Sequence, residues 1–256
     1  MRDGPAVKTC RLLSILLQMK KGVLPLKLDH VVYFTYKPST QIVEEQRANG
    51  QHAVVGGRHE KWGTHNALLY VKNAYIEWLS VERLGIAREA KHPLTDLLLN
   101  DLQENEGWGT VCLSVEDIES FNEEIKNKGF RTSGVLAAER KTADGNLRKW
   151  KMLFVDQIIS DELPMPFFIE WEDTEESRLT MLRNDGTITH ENEKSEIKEC
   201  VFKVSNPQKM AASWAHLVAK KVGQDSTIVL SNSLLRFSGQ KGGKDRLTDV
   251  VVEQTK

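Results

Sequence analysis

Cysteine, net charge and long apolar runs are all scarce in this chain. Its 256 residues hold three cysteines, Cys10, Cys112 and Cys200. None lies in a C-x-x-C pair and the number is odd, which argues against a disulfide framework and against a structural zinc site. Cys112 falls in an alternating apolar run, where a thiol behaves as a small hydrophobe. This usage fits a reducing compartment, so a cytoplasmic location is expected. Basic and acidic residues nearly cancel, 35 against 36, for a net charge of -1. No clustered positive field is offered to phosphates, so no nucleic-acid partner is expected. No apolar run reaches the roughly 18 residues of a membrane span, so no membrane partner is expected either. A G-x-S-x-G elbow and a Gly-rich fingerprint after the first strand are both missing. Their absence removes the support for serine-hydrolase and dinucleotide-binding readings.

What is present is ordinary globular material, 40% apolar and 28% charged, enough for one large or two small domains. The N-terminus stands apart. Residues 12–19 are apolar between Arg11 and Lys20-Lys21, yet no small-residue cleavage site follows. Lys21-Gly22-Val23 can be encoded AAA-GGA-GTN, which reads as a bacterial ribosome-binding site. Leu26 could then be a TTG start. Residues 1–25 are therefore expected to be a mis-assigned extension of a bacterial reading frame.

Three segments repeat one pattern. The first begins Leu28-Asp29-His30-Val31-Val32-Tyr33-Phe34, the second Gly109-Thr110-Val111-Cys112-Leu113, the third Ile197-Lys198-Glu199-Cys200-Val201-Phe202. Each alternating strand is followed by Pro or Asp, an amphipathic helical run and a closing Gly. Further strands are expected at 65–72 and 74–81, at 132–138, 147–155 and 166–171, and at 227–237 and 247–253. Hairpin turns are expected at 143–146 and 241–244. The charged stretch 173–196 reads as a linker.

The expected fold is α+β. Repeated β-α-β-β-β modules form curved mixed sheets around a cleft, with an extra β-α-β-β module at the C-terminus. The units are 26–172 (module one 26–107, module two 108–172) and 197–256.

Strand alternation groups Leu28, His30, Val32 and Phe34 on one face and Asp29 on the other. It also groups His65 with Ala67, and Tyr75 with Glu77. If His30, His65 and Glu77 face one groove, two imidazoles and a carboxylate could hold a divalent metal with open positions. Glu170, in Phe167-Phe168-Ile169-Glu170-Trp171, could add a ligand or act as a general base. The loop from Val55 to Asn66 is dense in glycine and polar groups, a pattern suited to a ligand-binding loop. Arg58, His59, Trp62 and Asn66 are its candidate contacts, with Trp150 beyond it.

Leu28-Asp29-His30-Val31-Val32-Tyr33, Gly57-Arg58-His59, Gly63-Thr64-His65-Asn66-Ala67-Leu68 and Tyr75-Ile76-Glu77 resemble the glyoxalase-like domains of the vicinal oxygen chelate superfamily. Asp144-Gly145 with Trp150, and Leu163-Pro164 with Pro166-Phe167-Phe168-Ile169, resemble the second half. The resemblance spans about 26–171. It implies metal ligands at His30 and Glu77, with Glu170 near the last-strand position of module two. Thr110 stands where a ligand is usual, so His65 would substitute, as in the ring-cleaving dioxygenases. His59 would contact substrate.

The resemblance implies a metal-dependent lyase, isomerase or dioxygenase acting on a small oxygenated metabolite, with Zn, Fe, Mn or Ni as the ion. The alternative is a metal-free binder of the drug-sequestering, bleomycin-resistance kind. A homodimer is the candidate assembly.

Overall fold

A computed structural model of the chain describes residues 26–141 and 147–255. The expected extension at 1–25 and the expected turn at 143–146 lie outside these residues. Module one runs β1 (Lys27–Phe34), α1 (Ser39–Ala48), β2 (Val54–His59), β3 (Thr64–Tyr70) and β4 (Tyr75–Val81). Module two runs β5 (Gly107–Ser114), α4 (Ile118–Asn127), β6 (Leu136–Lys141), β7 (Leu147–Leu153) and β8 (Phe167–Trp171). In each module the first strand pairs parallel with the last, β1 with β4 and β5 with β8. Antiparallel pairing of β1 with β5 joins the halves into one eight-stranded sheet, ordered β2-β3-β4-β1-β5-β8-β7-β6.

The sheet curls until its two edges nearly meet. Gly57 on β2 abuts Arg140 on β6; a Cβ at position 57 would lie 2.5 Å from the arginine Cδ. A side chain there would have to push the Arg140 stem aside.

Two helices that the sequence reading did not anticipate lie between the modules, α2 (Leu84–Glu89) and α3 (Pro93–Asp101). Pro93 starts α3 and Asp96 supplies a first-turn acid, both favourable at a helix N-terminus. Leu94, Leu97 and Leu98 are buried at helical spacing. They pack with Val32, Phe34, Cys112, Phe154 and Phe167 on the concave side of the sheet. The groove is therefore partly filled by a helix.

Residues 173–196, expected as a linker, form α5 (Glu175–Asn184) and a short 3-10 turn (Asn192–Lys194). Thr174 caps α5 by accepting from the Ser177 N–H at 3.3 Å. A four-stranded sheet follows, built from β9 (Ser195–Val204), β10 (Thr227–Val229), β11 (Leu234–Gly239) and β12 (Arg246–Gln254), with α6 (Pro207–Leu217) between β9 and β10. Its order is β10-β11-β9-β12. The expected strand 227–237 is broken by a turn at Ser231-Asn232, closed by Leu230 N–H donating to the Ser233 carbonyl. The expected hairpin at 241–244 is not one. β11 and β12 flank β9 on opposite sides, and Gly242 and Gly243, both with positive φ, carry the chain past its end. β12 lies antiparallel to β9 as β5 lies to β1, so the third module is closed by its own last strand.

The smaller sheet shares a continuous apolar core with the other face of the large one, including Leu28, Val31, Val111 and Leu113 against Ile197, Phe202, Trp214 and Leu247. Polar clasps set the alignment. The Asn232 side chain accepts from the Leu28 N–H (2.8 Å) and donates to the Leu28 and Asn73 carbonyls. Asn73 returns a bond to the Asn232 carbonyl at 2.6 Å. On β12, buried Arg246 forks onto Asp101 at the end of α3, with both N···O distances 2.9 Å. It also donates to the carbonyls of Ser160 and Glu162. No described helix is long and apolar enough to cross a membrane.

Candidate functional site

A cavity of about 50 Å³ opens in the concave face, lined among others by His30, His59, Trp62, Asn66, Glu77 and His92. Arg140, Trp150, Phe167 and Trp171 complete its polar and aromatic walls. A register shift in β1 against β5 lies between Leu28 and His30. This bulge breaks the alternation that would put Asp29 and His30 on opposite faces. Leu28 stays in the core behind the sheet, whereas His30 lines the cavity and Asp29 reaches His30 and Trp171, both of which line it.

His30 is held at both ring nitrogens. Nδ1 lies 2.7 Å from Asp29 Oδ1, and Nε2 lies 3.4 Å from Glu77 Oε2. The ring stacks on Tyr75 at 4.4 Å. Burial alone would raise the Asp29 pKa, but the His30 hydrogen bond, the charges of Arg178 and His30, and a bond from Trp171 Nε1 (2.9 Å) together lower it. An ionised Asp29 can only accept, so Nδ1 carries the hydrogen. Glu77 Oε1 takes a 2.5 Å bond from Asn66 Nδ2, leaving Oε2 to face Nε2. An imidazole nitrogen and a carboxylate oxygen thus face each other across the cavity wall.

Donor groups complete the lining. His92 is buried with Nε2 unpartnered among the described residues, as is Arg140 Nε. Trp62 stacks on His92 at 4.1 Å, and its ring centroid lies 5.2 Å from that of His59. Burial pushes His92 down to about 4. Burial, then the charges of Arg140, His92 and His65, push His59 down to about 3. Both rings are neutral near pH 7.

The expected site residues separate into two groups. His30, Glu77, His59, Asn66, Trp62 and Trp150 line the cavity. His65 does not: it lies on the helix side of β3, bonded to Ser39 and Ser80. The set His30/His65/Glu77 therefore does not converge, because Thr64 and Asn66 hold the inward positions of that strand. Glu170 also lies behind the sheet, where its carboxylate accepts the Ile118 N–H at 2.8 Å at the start of α4. Phe167 and Ile169 take the inward positions there. Arg58 is mostly exposed and pairs with Glu82 at 2.7 Å. Asp29, His92, Arg140 and Trp171 were not anticipated from the sequence; the Asp29-His30 pair was visible, but its bulge was not.

The donor set allows a limited metal fit. Val32 pairs with Glu77 across β1 and β4, and Cys112 pairs with Phe167 across β5 and β8. By this pseudo-symmetry Phe167 stands where Glu77 does, and Thr110 where His30 does. A four-ligand site does not fit, since a phenyl ring occupies one corner. A two-donor site at His30 Nε2 and Glu77 Oε2 fits, with Asp29 behind the imidazole as an outer-shell carboxylate. Asp29, His30 and Cys112 also group their potential ligand atoms within 4.8 Å. Burial and the nearby Asp29 and Glu77 charges push that thiol far up, which keeps it protonated.

Gly56 holds Asn66 in place from the side; a Cβ there would come within 2.1 Å of Asn66 Oδ1. Gly56→Ala is expected to cost about 1–3 kcal/mol by forcing Asn66 off Glu77. Gly107→Ala, facing open space, should stay within about 0.5 kcal/mol. Urea unfolding midpoints compare the two, and equal midpoints would show that Asn66 yields freely.

A model of the glyoxalase-like domain matches residues 28–218. No curated protein matches significantly. Among solved structures, a hypothetical protein from Staphylococcus aureus shares 23% identity at a TM-score of 0.76, covering 90% of this chain and 91% of that one. A Streptomyces coelicolor methylmalonyl-CoA epimerase in complex with 2-nitronate-propionyl-CoA shares 16% identity at a TM-score of 0.40, covering 58% of this chain and 99% of that one. The epimerase from Mycobacterium tuberculosis is similar at 15% and 0.38, covering 60% and 91%. The match over 28–218 shows that the chain belongs to the glyoxalase-like domain family, within the vicinal oxygen chelate superfamily.

Proposed function

We propose that the cavity is an acid–base site acting on a small oxygenated molecule, in the manner of an isomerase or lyase. One observation carries this reading: His30 Nε2 and Glu77 Oε2 face each other at 3.4 Å while Asp29 and Asn66 occupy their remaining edges. Such a pair is built to hold or move a proton. Arg140 Nε and the His92 Nε2 edge, both buried and without a partner among the described residues, can donate to a carbonyl oxygen. With a carbonyl compound bound, Glu77 Oε2 takes the proton from the adjacent carbon. The C–H electron pair moves onto the carbonyl as an enolate, which Arg140 stabilises. His30, steered by Asp29, exchanges the proton with Glu77 and governs its return.

Asp29 behind His30 also favours a second reading, in which His30 and Glu77 hold a divalent ion. Such an ion would polarise the substrate oxygen.

The test is solvent exchange. In D2O, hydroxyacetone, dihydroxyacetone and 1-hydroxybutan-2-one should exchange the C–H next to the carbonyl, followed by proton NMR. Glu77→Gln should slow exchange about 10²- to 10⁴-fold. Metal analysis of protein purified without chelator separates the readings: stoichiometric metal, lost in His30→Ala and Glu77→Ala, supports the ion. No exchange with any compound, together with apolar-ligand binding indifferent to Glu77→Gln, would overturn the enzymatic proposal in favour of sequestration.

A further inference from the structure

Beyond α3 lies a second chamber, about ten times larger at about 530 Å³ against about 50 Å³. Its size falls in the usual range for small-molecule sites, whereas the first cavity holds only a few water-sized groups. Leu94 and Phe167 line both chambers and form their shared wall. Most of the second lining is apolar, from Leu97, Phe154, Leu163 and Met165 among others. One polar group is conspicuous: Thr110 is 3% exposed, and its Oγ1 has no partner among the described residues. The residue faces the chamber. A buried hydroxyl without a partner costs free energy that a ligand atom would recover. The ionisable lining is acidic (Asp96, Asp156 and Glu162), with no lysine or arginine among the lining residues.

We infer that this chamber binds the hydrophobic body of an amphipathic ligand that is neutral or cationic, with one polar atom bonded to Thr110. Resting on the acid–base reading, the oxygenated head of the same molecule reaches His30 and Glu77 past Leu94 and Phe167. The substrate class is then an oxygenated compound bearing an alkyl or aryl tail, not an anion.

The probes are n-alkanols from butanol to decanol, with n-alkylamines and n-alkanoates of equal length, titrated into the full chain by calorimetry. Alkanol affinity should rise about four-fold per methylene until the chamber is full, then level off. Alkylamines should match or exceed alkanols, and alkanoates should bind about ten-fold more weakly or worse. Thr110→Val should weaken alkanols about three- to ten-fold. Leu97→Trp, or Met165→Trp should the first fail to fold, should abolish binding by filling the space. Leu94→Ala or Phe167→Leu should move the plateau to longer chains by opening the shared wall. Every titration is repeated in Glu77→Gln, where binding should persist, so failure of the acid–base reading is seen separately. Affinity independent of chain length, alkanoates binding tightest, or a plateau unmoved by both wall variants would overturn the inference.

Discussion

Arg246→Ala will lower the unfolding free energy by about 3–5 kcal/mol, the range for removing one partner of a buried ion pair. Arg246 is only 7% exposed and Asp101 loses its bidentate partner outright. The carbonyls of Ser160 and Glu162 lose their donors as well. The paired change Arg246→Met with Asp101→Leu should recover most of the loss, because it leaves no charge stranded. Urea unfolding of the three variants makes the comparison. A single-variant loss below about 1 kcal/mol would show that water replaces the guanidinium readily. The effect reaches the site because Asp101 ends α3, the helix that separates the two chambers, and Ser160 and Glu162 line the second chamber. The smaller sheet thus fixes the shape of a cavity it does not line.

Acidification should destabilise the fold well above the range where carboxylates titrate. His59 and His92 have folded pKa values of about 3 and about 4, below the unfolded value of about 6.5. Between those limits the unfolded chain binds more protons, so stability rises with pH. Their contribution is full above about pH 6.5 and drains away as pH falls toward 4. From pH 7 to pH 5 the two rings together should cost roughly 3 kcal/mol. His92→Gln and His59→Gln should each flatten the curve in that window, measured by urea unfolding at half-unit pH steps. His59 is only half-buried and should show the smaller change. A wild-type curve level between pH 7 and 5 would mean that both rings are hydrated.

Much of the scaffold could be read from residue order. The repeated strand–helix–Gly starts at 28, 109 and 197 became β1, β5 and β9, because alternation and capping are local properties. His30 and Glu77 could be placed together because both occupy inward positions on neighbouring parallel strands. His65 and Glu170 were misplaced by one step of the same alternation: their neighbours Asn66 and Ile169 face inward instead. Period two assigns residues to faces without saying which face is the cavity. Arg140 and His92 were invisible for another reason. They arrive from a distant edge strand and from the turn before α3, through contacts that only the curled sheet creates. The glycine pair at 242–243 looked like a hairpin because turn chemistry reports a reversal, not which strand the chain then pairs with.

The contact between the Asp29 carboxylate and the His30 ring depends on phase as much as on composition. Consecutive residues point the same way here because β1 carries one more residue than the β5 segment opposite. Without that extra residue opposite β5, strict alternation would put Asp29 and His30 on opposite faces and turn the carboxylate away from the ring it now touches. Homologues with the same Asp-His pair but an even register would carry the letters of this site without its chemistry.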